Sequence, residues 1–274
     1  MHSIVRRPRT ALVAIAAVVA FAAVAAAAQA KVTPPPSIKS AGKIVYCSDI
    51  TYPPEESYQG TKAVGSDIDI GNAIAAQMGV KAVFQNTTFD SIIAALAGKK
   101  CDAIISGMND TASRRKQVAF VDYLKVGQSL MVKAGNPEHL NTLADLAGKK
   151  VSVESGTTNR DFLAAESAKL TKAGKKAINI ATFPKDTDAA SALKAGRVDA
   201  YFGDSPVVVF YALKDKSFAV GGSPVNPIPI GIAIRKNDPL KAATQKALNA
   251  LYANGTIKKI VTKWGMTHAV SLLK

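Results

Sequence analysis

The sequence predicts an α/β protein of two lobes, each a mostly parallel sheet flanked by helices, joined by two crossing strands. Three observations predict it. Strand-like and helix-like segments alternate along the chain, the pattern of mostly parallel sheets. One helix-turn-strand unit recurs about a hundred residues later, which points to two similar lobes rather than a solenoid. Two extended segments, residues 123–132 and 224–234, the second carrying Pro224, Pro227 and Pro229, suit passages between lobes and could serve as a hinge.

In chain order, residues 1–30 read as an export signal. Arg6, Arg7 and Arg9 precede an Ala/Val-rich run at 11–28, and Ala28-Gln29-Ala30 supplies a small-x-small cleavage pattern. An uncleaved membrane anchor is the rival reading. A spanning helix wants roughly 20 strongly apolar residues, and this run is mostly alanine, so cleavage before Lys31 is favoured. No cysteine follows it to carry a lipid, so the expected location is the periplasm without a lipid anchor. Residues 31–40, with Pro34, Pro35 and Pro36, read as a disordered leader. The expected lobes are 41–128 with 228–274, and 129–227.

Residues 43–48 read as the first strand, a helix begins near Asp67 or Asp69, and 80–85 is the next strand. Phe89, Ile92, Ile93 and Leu96 share one helical face, and 101–106 is a third strand. The recurring unit matches 96–105 with 193–202, each a helix end, a Gly-basic turn and a strand opening on Asp-Ala. The tail, 238–264, reads as helices returning to the first lobe.

Of the 274 residues, 35 are basic and 20 acidic; removing the signal's three arginines leaves 244 residues and a net charge of +12. The lysines are scattered rather than gathered into a stripe, and no nucleic-acid motif accompanies them, so a solvated basic surface is expected and no nucleic-acid partner. His2, His139 and His268 are dispersed, so no metal site or cofactor is expected. Cys47 and Cys101 are expected at different heights on neighbouring strands. Bridging needs Cα atoms within about 7 Å, so they are read as buried free thiols, with pairing left open.

Several motifs then appear in order. Thr51-Tyr52-Pro53-Pro54-Glu55-Glu56 and Val64-Gly65-Ser66-Asp67-Ile68-Asp69-Ile70 come first. Cys101-Asp102-Ala103-Ile104-Ile105-Ser106-Gly107-Met108, Thr111-Ala112-Ser113-Arg114 and Ala119-Phe120-Val121-Asp122-Tyr123 follow. Leu143-Ala144-Asp145-Leu146-Ala147-Gly148-Lys149, Gly156-Thr157-Thr158, Gly196-Arg197-Val198-Asp199-Ala200 and Gly231-Ile232-Ala233-Ile234 complete the set. Together they resemble family 3 solute-binding proteins, the polar-amino-acid receptors of bacterial ABC importers, over about residues 44–265. The resemblance implies the type II periplasmic-binding-protein fold, a monomer, an amino-acid ligand and an ABC permease as partner.

It also implies a site. Arg114 stands where the family clamps the ligand carboxylate, a task suited to a guanidinium fork rather than to lysine's point charge. Thr157 and Thr158 open a helix whose free N–H groups attract the same carboxylate. Gly107 and Asn109 end a strand facing the cleft, Asn109 replacing the usual Ser or Thr. Asp204 stands where the family receives the α-ammonium; a helix N-cap is its plainer reading. Tyr52 and Phe89 would sandwich the ligand side chain, with core packing the rival for Phe89. Asp49 and Glu154 occupy positions that meet the side chain, which points to a cationic or strongly hydrogen-bonding amino acid, unless Glu154 turns outward to a surface lysine. Glu55 and Ser66 replace phenylalanines and make the mouth more polar. The chain lacks the Gly-x-Ser-x-Gly and Walker motifs, so no enzyme activity is expected. An enzyme like cyclohexadienyl dehydratase, with Glu154 as acid or base, and a receptor feeding chemotaxis are the alternatives.

Overall fold

A computed structural model describes His2 and residues 32–273. Apart from His2, the proposed signal lies outside the described residues. The first half holds α1 (Pro36–Ala41), β1 (Lys43–Ser48), the hairpin β2 (Ser57–Gln59) and β3 (Lys62–Val64), and α2 (Ser66–Gln77). It continues with β4 (Lys81–Asn86), α3 (Ile92–Ala97), β5 (Ala103–Ile104) and α4 (Ala112–Arg115). The long strand β6 (Val118–Lys133) leads to the second half: β7 (Lys150–Glu154), α5 (Thr158–Lys172), β8 (Asn179–Phe183), α6 (Asp186–Lys194), β9 (Ala200–Asp204) and α7 (Ser205–Lys214). Another long strand, β10 (Phe218–Arg235), returns to α8 (Leu240–Ala253), α9 (Thr256–Lys263) and β11 (Val270–Leu272).

The sheet runs β4-β1-β5-β10-β6-β9-β7-β8, with β11 on β6. The outer pairs are parallel and β6 and β10 are antiparallel. These two long strands are the expected crossings, and each contributes to both halves. Along β6 the register of β10 shifts between Gly221 and Ile228, where the two strands pass from one half to the other. Period-2 alternation sorts the second half's side chains: Met131 and Tyr201 join Leu193 and Val207 on one face, while Leu130 and Phe202 join Val153 and Leu163 on the other. In the first half Ile44, Tyr46, Ile70, Ile74, Ile232 and Ile234 pack with Leu248 and Leu251 of the returning α8.

The recurring unit has one physical purpose in both halves. Asp102 accepts from the backbone N–H of Val45 and donates its own to the Val45 carbonyl. Asp199 treats the two backbone groups of Lys150 the same way. Each Asp therefore starts its strand by closing a two-way clamp on the neighbouring one. The residues three before them, Lys99 and Gly196, both take left-handed φ to end the preceding helix.

Two expectations need correction. The leader is ordered from residue 32: Pro35 and Pro36 set up α1 rather than loosening the chain, because proline is well suited to a first helical turn, and Val32 and Ile38 are buried in the first-half core. Cys47 and Cys101 form a disulfide, with Cα atoms 5.7 Å apart. The third strand is shorter than the sequence suggests, and the Asp102–Val45 clamp draws the chain before it against β1, within bridging range of Cys47. Closing a separation of 54 residues stabilises by roughly 4 kcal/mol in the chain-entropy account. Replacing both cysteines by alanine should therefore lower the denaturation midpoint clearly; an unchanged midpoint would mean that the crosslink is not formed in the native protein.

Candidate functional site

The two halves meet through residues that the motifs place far apart in sequence. Thr111 caps α4 by accepting from the Arg114 N–H at 3.2 Å, which aims the arginine inward. Its guanidinium donates to the Asn109 carbonyl in its own half at 2.9 Å and to the Gly156 carbonyl across the gap at 3.2 Å. The Phe89 ring lies 5.3 Å from the guanidinium carbon. Phe89 also packs, half buried, on the Ile92–Leu96 core, as its core-packing reading has it. Two of the guanidinium's five N–H bonds are engaged in this way, leaving three.

Gly156 has to be glycine. Its φ is +71°, and a Cβ there would overlap the Asp90 carboxylate. The preceding Ser155 hydroxyl donates to Asp90 at 2.5 Å, so this turn seats directly on the other half. Thr157 caps α5, accepting from the Arg160 N–H at 3.2 Å and donating to the Glu154 carbonyl at 2.8 Å. Thr158 donates across the gap to Asn109, whose side-chain nitrogen has no hydrogen-bond partner among the described residues. Tyr52 reaches furthest. Its ring packs over Gly107 and lies in the second half's Tyr201 and Val207 cluster, and its hydroxyl accepts from the Asp204 N–H at 3.3 Å.

Carboxyl groups crowd the same region. Asp204 leaves β9 for α7, but its side chain makes no capping hydrogen bond; it is 2% exposed and its Oδ1 is unpaired among the described residues. The plain N-cap reading therefore fails there. Burial raises its pKa to about 6, although Asn159, Tyr52, Arg114 and Asn109 pull it down. Glu154 is 4% exposed with Oε1 unpaired, so it does not turn outward to a surface lysine. Burial first, then Asp186 and Asp49, hold its pKa well above the usual carboxylate range. Asp49 accepts from the Thr51 hydroxyl and the Phe89 N–H, both at 2.8 Å, so it fixes the approach of the Phe89 segment. Behind Tyr52, Glu55 is buried with Oε2 unpaired, and burial, Asp67 and Asp204 raise its pKa strongly. Asp67 accepts from the Gly107 N–H at 2.8 Å and from the Tyr123 hydroxyl at 2.7 Å.

All ten residues marked by the motifs thus lie in or beside one interface between the halves. The motifs miss Asp186, Asn159 and Gln128. Gln128 donates weakly to Thr158 at 3.4 Å and accepts from Asn226 at 2.9 Å, linking both crossing strands to the α5 start. Its strand also carries Lys125 and Ser129, so nothing local sets Gln128 apart. For Asn159, one residue past the Thr pair, and Asp186, at a helix start, an ordinary surface position is the natural reading, and burial is what distinguishes them.

This crowding fixes a pH dependence. Asp67 and Asp204 at about 6 and Asp186 at about 7 all lie above the ordinary 3.8, with burial the first cause. A folded carboxyl with a raised pKa keeps its proton where the unfolded one has lost it. Its contribution is complete below about pH 4 and disappears as pH rises through about 6 to 7. Asp215, held to about 2 chiefly by Lys194, acts in the opposite sense and loses its contribution as pH falls below about 4. Without added solutes, the urea midpoint should be highest near pH 4–5 and fall toward pH 7.5. A midpoint that stays flat or rises would contradict this arrangement.

Comparison with known proteins agrees with this geometry. The profile of the bacterial extracellular solute-binding proteins, family 3, matches residues 44–267. ABC transporter arginine-binding protein 1 of Escherichia coli (strain K12) is 32% identical over 82% of this chain and 91% of its own length. The histidine-binding periplasmic protein of Salmonella typhimurium is 33% identical, covering 81% of this chain and 87% of its own. Among solved structures, a mutant of ArgBP from T. maritima superposes with a TM-score of 0.75 at 33% identity, over 84% of this chain and 97% of that one. An ancestral amino acid-binding protein described as a precursor of cyclohexadienyl dehydratase gives 0.76 at 33% identity, over 83% and 97%. With the two-lobe fold, the crossing strands and the interface all in place, the chain belongs to the bacterial extracellular solute-binding proteins, family 3.

Proposed function

We propose that this protein is the extracytoplasmic receptor of an ABC importer for a cationic α-amino acid, which it captures by closing its lobes and hands to the permease. The observation that carries the proposal is that a buried cation and a buried acid from opposite halves, Arg114 and Asp204, come to the same interface, Arg114 held by the Gly156 carbonyl and Asp204 beside the Tyr52 hydroxyl. A zwitterion needs one opposite partner for each of its charges, in a dry cleft. Arg114, with the α5 start at Thr157 and Thr158, suits the carboxylate; Asp204 suits the ammonium; Gly107 and Asn109 line the strand end between them. Tyr52 and Phe89 flank the side chain, and Asp49 and Glu154 meet its far end. The surplus of buried acid over buried base favours a side chain that brings a second positive charge. The names of the arginine- and histidine-binding relatives agree with that choice.

The lobes in this reading are 41–128 with 228–274, and 129–227, and the hinge lies in β6 and β10. Export follows cleavage before Lys31, the mature protein is a periplasmic monomer without a lipid anchor, and it does no chemistry on its ligand. A dehydratase-like enzyme is the second reading, favoured by the strongly raised Glu154 and by the likeness to a dehydratase precursor. Turnover of prephenate or arogenate would establish it; recovery of both unchanged rejects it.

A thermal-shift and calorimetric panel tests the main proposal. Arginine, lysine, ornithine or histidine at ~1,000 times its Kd should add ~4 kcal/mol of stability, with weaker response to glutamine and none to glutamate or leucine. Tight binding of glutamate or leucine, with no response to the cationic amino acids, would overturn the proposed class.

A further inference from the structure

Asp186 opens α6, where an acid ordinarily faces solvent and the helix's free N–H groups. Here it turns inward and is 1% exposed. Its Oδ1 accepts from the Tyr201 hydroxyl on β9, and its Oδ2 from the Tyr211 hydroxyl on α7 at 3.1 Å. It lies three residues past Phe183, which pairs in register with Glu154 on β7, and its backbone N–H draws the Glu154 pKa down against burial. A carboxylate oxygen has two acceptor directions, so the tyrosines leave Asp186 one on each oxygen. Glu154, beside it, has a buried Oε1 with no partner among the described residues. The hydrogen bonds of the buried Arg114 go to the Asn109 and Gly156 carbonyls, not to either acid.

We infer that Asp186 and Glu154 form a paired carboxyl seat for the distal cation of the ligand, and that Asp186 sets the preference for a cationic side chain over its neutral isostere. This rests on the reading of the chain as an amino-acid receptor and adds the residue that discriminates within it. Tyr52, Asp49 and Asp204 face the pair from the surrounding elements, and the exposed Lys185, next in sequence, acts on Asp49. Two acids this close in a buried site resist simultaneous ionisation. Burial holds Asp186 at about 7, against the pull of its two tyrosines, and keeps Glu154 well above the carboxylate range. A guanidinium entering the seat ionises both, and their protons pass to the buffer. A neutral isostere leaves them protonated.

Isothermal calorimetry near pH 7, in two buffers of different ionisation enthalpy, separates these cases with arginine and citrulline as probes. The unaltered protein should prefer arginine and release more protons with arginine than with citrulline. Asp186→Asn should narrow that preference by about tenfold or more and reduce the extra proton release, while citrulline affinity stays nearly unchanged. Circular dichroism checks that the variant is folded; if it is not, Glu154→Gln and the proton count of the unaltered protein decide in the same way. A folded Asp186→Asn protein with the original arginine-to-citrulline ratio overturns the inference, as does equal proton release with both probes. If arginine binds and that ratio survives, the receptor reading stands and only the seat is lost. If no α-amino acid binds at all, both fail together.

Discussion

Arg114 is the only lysine or arginine that the fold buries among the described residues, and it sits in an interface rich in buried acids. An isolated buried charge is costly unless partners are fixed around it, and much of the local architecture supplies them. The Thr111 cap turns the residue inward, and the Asn109 carbonyl holds it from the same half. The Gly156 carbonyl reaches it only because the turn after β7 adopts a left-handed glycine that clears Asp90. The guanidinium is therefore a bolt between the two halves, and in the proposed function it clamps the ligand carboxylate as well. The contacts around it, Ser155 to Asp90 and Thr158 to Asn109, are also hydrogen bonds rather than apolar packing. Net contributions of about 1 kcal/mol each suit the opening and closing that the proposed function requires of this interface. Tyr52 is the exception, an aromatic ring from one lobe seated in the hydrophobic cluster of the other.

The acids explain why closure and ligand chemistry belong together. Among the described residues eight carboxyl groups are buried, and only Asp110 among them has an ion-pair partner there, Arg115. The others are held by hydroxyls and backbone N–H groups, or, as at Glu55, Glu154 and Asp204, keep an oxygen with no partner among the described residues. Such groups resist ionisation without positive charge nearby, which in the proposed function links the binding of a cation to proton release and discourages acidic solutes. The strongly basic exterior does not offset this. It is solvated and screened over about 10 Å, so it acts on encounter rather than on selection.

Most of the fold was legible because its signals are local. The Asp102 and Asp199 units, the apolar face of α3, and the proline-bearing crossing strand each follow from a short stretch of chain, and the ten motif residues come together as their order implies. What was not legible depended on contacts between distant segments. Pro34, Pro35 and Pro36 look like a loose leader until Val32 and Ile38 find the core. Cys101 looks too distant from Cys47 until the Asp102 clamp draws it against β1. Asp186 reads as a solvated helix start because nothing local announces Tyr201 and Tyr211, which approach from two other elements.

Arg114→Lys and Arg114→Ala, titrated calorimetrically with arginine, test the central claim most directly. Lysine keeps the charge but not the fork, and alanine keeps neither. Both proteins should fold, and the alanine variant should lose about 2–5 kcal/mol of binding free energy, with lysine recovering only part of it. Affinity close to that of the unaltered protein in a folded Arg114→Ala variant would contradict the assignment of Arg114 as the carboxylate clamp, and with it the division of labour between Arg114 and Asp204 on which the proposed function rests.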